Sequence, residues 1–266
     1  MKMKTITYLA ATTLSLGIAN AAPLKSAVVT TVVNDVRLSE KSAEARAIGT
    51  GTKMSGSSTL LTGRDSRASM TFPDNTVTRV GANSVFSFSS GSRDMEIQQG
   101  SFLLQVPKNA GGATIRTATV TAGITGTTTM MEYNPGKFIK FVCLEGKAKL
   151  TNRNGRKIEI PAGQMLVMHP NAVNFPRPVI VNIAKMRKTS ALSDKDQFGA
   201  LAPEAEQAID ATVAQQTEER REGDLQPAHL HERGPGGSEG DIRSLTSEAF
   251  YSEYNFSYRF PPSNGS

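Results

Sequence analysis

The stretch Thr62-Gly63-Arg64-Asp65-Ser66-Arg67-Ala68-Ser69-Met70-Thr71-Phe72-Pro73-Asp74-Asn75-Thr76 holds a complete strand between two turns. From Ser66 the side chains alternate. Ala68, Met70 and Phe72 point one way, while Ser69 and Thr71 point the other, the period-two signature of a half-buried strand. Pro73 presets φ for a turn, and the side chains of Asp74 and Asn75 bond back to the main chain.

The same style extends in both directions. Residues 28–33 are rich in β-branched side chains, which suit a strand. Residues 42–46 read as one helical turn or a loop, and Gly49, Gly51, Gly56 and Gly63 then break the chain into short pieces. Further strands are expected at 76–80, 85–88, 95–97, 102–106, 113–121, 137–144, 147–151, 157–160 and 165–168, with a Gln-Gly turn at Gly100. No helical period runs through this region, so the fold class expected is all-β: a roll, solenoid or sandwich of short strands. The strand spacing is too irregular to establish a solenoid repeat.

After 179–183 the character changes. Residues 203–221 are rich in Ala, Glu and Gln, and Leu201, Ala205, Ile209 and Val213 recur about one turn apart. That narrow stripe predicts a helix that would be marginal alone. Residues 224–241 read as a linker, so the tail is expected to be partly helical and largely disordered. Near its end Tyr254, Phe256, Tyr258 and Phe260 alternate with polar residues, giving a candidate strand with one aromatic face. It is expected to pair with the body or with a partner's sheet edge.

The first residues read as a signal peptide. Lys2 and Lys4 precede a short apolar run from Tyr8 to Ile18, and Ala19-Asn20-Ala21 offers the small residues for cleavage between Ala21 and Ala22. No later apolar run reaches membrane-spanning length, so the expected product is exported, periplasmic or secreted, with no transmembrane segment. Residues 22–189 carry 22 Lys and Arg against 10 Asp and Glu, a net of +12; residues 190–266 carry 6 against 14, a net of −8. A basic body of this kind suits an anionic partner, whether an envelope protein or an anionic surface polymer. Nucleic acid is not the expected partner, because there is no Trp and no basic run interleaved with aromatics. The single Cys143 cannot form an internal disulfide and reads as a core residue. Oligomeric state is not legible from the sequence.

Catalytic equipment is sparse. His229 and His231 lie in the linker, where nothing fixes them as metal ligands. Gly155, Pro161 and Gly163 reproduce part of the second motif of the cupin family, but Leu166 stands where cupins place a metal-binding His, and His169 falls three residues late. The glycines at 49 and 51 lack the spacing of a phosphate loop, and there is no Gly-x-Ser-x-Gly elbow. Asp74 reads as a turn former and Glu145 as a hairpin end. No catalytic residue, cofactor or metal is expected.

Taken in order, the turns resemble the FecR domain family. The carrying pieces are Leu61 to Ala68, Phe72 to Thr76, Val80-Gly81-Ala82-Asn83-Ser84, Ile97 to Phe102, Thr117 to Thr121 leading into Gly126-Thr127, Glu145-Gly146-Lys147-Ala148 and Ala162-Gly163-Gln164. Asn75 departs from the Gly the family usually has after the Asp, and Asn also tolerates left-handed backbone. The resemblance implies an extracytoplasmic β domain. In founding members such a domain takes a signal from an outer-membrane transporter and passes it, through a membrane helix, to a cytoplasmic sigma-factor regulator. The organisation expected is a signal peptide (1–21), a FecR-like β domain (22–186, motif core about 50–169), an acidic helix and flexible linker (187–241) and an aromatic segment (242–266). The function expected is a non-enzymatic exported binding or scaffold module of the cell envelope. The alternatives are an extracytoplasmic component of a signal relay working with a separate membrane regulator or transporter, and a metal-free or degenerate cupin-like enzyme.

Overall fold

The computed structural model describes residues 22–40 and 43–222. In chain order the strands are β1 (Ser26–Val33), β2 (Val36–Glu40), β3 (Arg46–Ala47), β4 (Lys53–Ser55), β5 (Ser58–Thr62), β6 (Arg67–Thr71), β7 (Val77–Val80), β8 (Val85–Phe88) and β9 (Asp94–Gln105). They continue with β10 (Ala113–Arg116), β11 (Val120–Ile124), β12 (Thr128–Asn134), β13 (Phe138–Glu145), β14 (Lys147–Asn152), β15 (Lys157–Pro161), β16 (Gln164–Met168) and β17 (Val179–Ile180). Three helices come next, α1 (Ile183–Thr189), α2 (Lys195–Phe198) and α3 (Pro203–Arg221), with a 3-10 turn at Ala191–Ser193 between the first two.

The strands form two layers that share β9. The first layer runs β4-β1-β6-β7-β9-β12-β13-β16-β17. The second runs β3-β2-β5-β8-β9-β10-β11-β14-β15. All pairings are antiparallel except β9 with β10. The Gln-Gly turn expected at Gly100 is instead a corner within one strand: Asp94 to Gln99 pair in the second layer, and Gly100 to Gln105 pair in the first.

The glycine signals of the sequence are these corners, arranged in two rows where the chain passes between layers. One row holds Asp35, Gly63, the bend from Gly81 to Ser84, and Gly100. It is stitched by Gly63 N–H to Asp35 O, Asn83 N–H to Gly63 O and Gly81 N–H to Ser101 O, at 2.9, 3.1 and 2.8 Å. The other row holds Val106, Gly126-Thr127, Gly146 and Gly163, linked by Val106 N–H to Thr127 O and Ala162 N–H to Gly146 O. Thr127 Oγ1 also donates to Lys147 O at 3.2 Å. Gly100 shows why glycine is needed: its φ is +95°, and a Cβ there would lie 2.0 Å from Ser84 Oγ. Asn75 adopts φ +63°, so its left-handed turn is kept without glycine.

The main core lies between the layers. Ala68, Met70 and Phe72 enter it with Phe86, Phe102, Phe141 and Leu150, and Phe72 stands edge-on to Phe88 at 5.1 Å. A second cluster lies on the outer side of the first layer. There Leu103, Met130, Val142 and Met165 pack against Ile183 and Met186 of α1, Leu192, and Leu201, Ala205 and Ile209 along α3. Covering both faces explains why β13 is buried along its full length and why Phe102-Leu103-Leu104 shows no alternation. The same packing supplies what the narrow α3 stripe lacks alone. Helix α1 runs through positions 186 and 187, where the sequence placed a domain boundary.

Candidate functional site

The two outer faces differ. Among the described residues, the chain's helices pack on part of the first layer's and none packs on the second layer's. A single row on that second face runs Ser39, Thr59, Ser87, Glu96, Arg116, Thr121, Thr151, Lys157, each residue in register with the next. At a strand spacing near 4.8 Å, eight strands place these side chains along roughly 34 Å. Their neighbours in sequence, such as Leu38, Leu60, Phe86, Ile115 and Leu150, point into the core. The face is therefore polar by strand alternation.

Its charge concentrates at one end. On β14, β15 and the turn between them, Lys147, Lys149, Arg153, Arg156 and Lys157 are all exposed, and Glu159 is the one acid among them. Glu159 lies 3.7 Å from Lys147. Charges this exposed interact weakly with each other but add to a common field. The edges of the layers are short or guarded. β3, β4 and β17 have two or three residues each. On β15 the pairing of Arg156 O with Asn152 N–H and of Ala162 N–H with Gly146 O turns the main chain of Lys157, Glu159 and Pro161 outward. Charged side chains and a proline guard such an edge against strand addition.

The covered layer holds charges that alternation assigned to a solvated side. Arg79, 2% exposed, donates from Nη1 to Leu192 O and from Nη2 to Gly199 O, both at 2.9 Å, and lies 5.2 Å from the Phe198 ring centroid. Burial pushes its pKa down to about 10, against the pull of Glu206 and Asp194. Lys140 is buried 3.7 Å from Glu132, its cross-strand partner. Burial raises the Glu132 carboxyl above the usual range, and Lys140 works against the shift. Nothing in the local sequence marks these side chains as buried; for Arg79, the covering segment lies more than 100 residues away.

The residues singled out for chemistry are dispersed. Asp74 is the turn former expected: Oδ1 accepts from Thr76 N–H at 3.0 Å, and Oδ2 pairs with Arg93 at 2.5 Å. His169 Nδ1 accepts from Asn171 N–H at 3.1 Å, so its Nε2–H donates to Gly136 O at 3.2 Å. Cys143 is buried in the interlayer core, and burial together with Glu145 raises its thiol to about 12. Glu145 closes β13 at the second row of corners. Among the described residues no three His, Cys, Asp or Glu side chains gather as a metal site, and no helix is long and apolar enough to cross a membrane. Ala22 is the first described residue, its carbonyl accepting from Arg93 at 3.1 Å. Ala21, His229, His231, Tyr254, Phe256, Tyr258 and Phe260 lie outside the described residues.

Residues 58–149 match the family described as FecR protein. That segment runs from the start of β5 into β14 and includes corners from both rows. Two crystal structures, at 1.65 and 2.50 Å, of a protein described as an anti-sigma factor from Parabacteroides distasonis ATCC 8503 are similar to this chain. For each the identity is 16% and the TM-score 0.41, with 46% of this chain and 59% of that one covered. The likeness thus spans less than two thirds of that protein's length. No curated protein matches the chain.

Proposed function

Since residues 58–149 are a FecR domain, we propose that the chain is a non-enzymatic binding module of a signal-relay system, exported to the cell envelope after loss of residues 1–21. The observation that carries this reading is the contrast between the two outer faces. Helices α1 and α3 pack on the first layer, while the second presents a polar row ending in the basic group on β14 and β15. A family fold tied to regulation, with one face uncovered by helices among the described residues and basic at one end, suits contact with an acidic surface on a membrane regulator, a transporter or an anionic envelope polymer. A scaffold that docks on such a surface without relaying a signal uses the same face.

The test is association of the mature protein with envelope fractions across ionic strength, beside the double variant Lys149→Glu, Lys157→Glu. Binding should weaken as salt rises and fall further in the variant. Binding indifferent to both changes would remove this face from the mechanism. Recovery of a transporter or membrane regulator after mild crosslinking separates relay from scaffold.

A further inference from the structure

Two buried arginines among the described residues, Arg67 and Arg79, lie in no ion pair, and the Nε of each has no acceptor. Arg67 leads β6 on the covered face of the first layer and is 5% exposed. Its Nη1 donates to Gln197 Oε1 at 3.1 Å, and its Nε has no acceptor. No carboxylate among the described residues pairs with it. Arg79, on the neighbouring strand, binds two main-chain carbonyls of the covering segment; Arg67 has no equivalent. A desolvated guanidinium with an unmet donor is costly unless an anion joins it.

Space for that anion lies beside it. Arg67 borders an open cleft of about 590 Å³ lined by α1, the segment from Ser190 to Gln197, and α3, a volume in the range of small-molecule sites. The other charges on its wall are largely engaged. Arg187 pairs with Glu206 and Asp210, Lys195 pairs with Glu206, and Asp194 caps α2 through the N–H groups of Asp196 and Gln197. Lys188 and Asp196 remain on the rim, opposite in sign. Arg67 is the one buried charge on this wall, and it lies in no ion pair. One positive charge in a planar fork, with Asp194 and Asp196 close by, fits a single carboxylate better than a doubly charged phosphate. We propose that this cleft is a binding site for a small organic acid whose carboxylate sits on Arg67 under the segment carrying Gln197. This site is separate from the outer face of the second layer and does not depend on any partner there.

The experiment uses the purified chain in acetate, succinate or inorganic phosphate against chloride at equal ionic strength. Thermal unfolding and the Arg67 Nε–H signal by nitrogen-15 NMR are followed together. A carboxylate should raise the Tm saturably and move the Arg67 signal along the same curve. Arg67→Lys, which keeps the charge and loses the fork, should bind at least about tenfold more weakly. Lys188→Gln, on the exposed rim, should fold normally and bind only slightly more weakly. An Arg67 signal unmoved by every probe overturns the site, whatever the variants do. So does an undiminished response in a folded Arg67→Lys protein. Saturation by phosphate at a lower concentration than by either carboxylate overturns the ligand class.

Discussion

Replacing Glu145 with glutamine tests how the second row of corners responds to pH. Glu145 ends β13 just before the Gly146 corner, is 4% exposed, and its Oε2 has no hydrogen-bond partner. Burial raises its carboxyl from 4.5 to about 7, with Glu204 of α3 adding to the shift and Lys108 opposing it. The folded state therefore holds this proton more tightly than the unfolded chain does. Stability from this group is fully present below pH 4.5 and is lost as pH rises through about 7. At about 1.4 kcal/mol per pH unit the full shift sets a ceiling near 3 kcal/mol, and partial access of water lowers the expectation to about 1–3 kcal/mol. Glutamine keeps the shape and cannot ionise. Urea unfolding from pH 4.5 to 8 should find the two proteins about equally stable at the acidic end. At the alkaline end Glu145→Gln should be the more stable by about 1–3 kcal/mol. A difference that stays constant across that range would falsify the assignment of a buried, proton-holding carboxyl.

Three other outcomes are expected from the packing. Arg79→Met keeps most of the volume and strips the donors from Leu192 O and Gly199 O; because Gly199 is exposed and can be hydrated, the expected loss is about 1–3 kcal/mol in chemical unfolding. No change in the unfolding midpoint would mean that the covering segment does not rest on this arginine. Gly100→Ala forces a side chain into φ +95° against Ser84 and should lower stability by at least about 1–3 kcal/mol, read as a drop in Tm. Cys143, buried and with its thiol raised to about 12, should resist iodoacetamide at pH 8 in the native protein and react once urea unfolds it. Rapid native alkylation would place it at the surface.

The sequence alone determined the β class, the inward set Ala68, Met70 and Phe72, the Asp74 turn and the ordered corner residues that mark the FecR domain, because each rests on local alternation or a local backbone demand. It also located α3 through the spacing of Leu201, Ala205 and Ile209. It missed β2, β5 and β12, and it split β9 in two by reading the Gly100 corner as a turn. The miss at β12 has a tertiary source. Period-two reasoning assumes one wet face, and the Thr-Thr-Met-Met run of β12 is buried on both. Such burial joins residues far apart in the chain, as when Arg79 meets Leu192 and Gly199, or Arg67 meets Gln197. Only the tertiary structure could decide which outer face the helices cover and which arginines lie buried beneath the covering segment. Burial is a property of what packs on a strand, not of the strand itself.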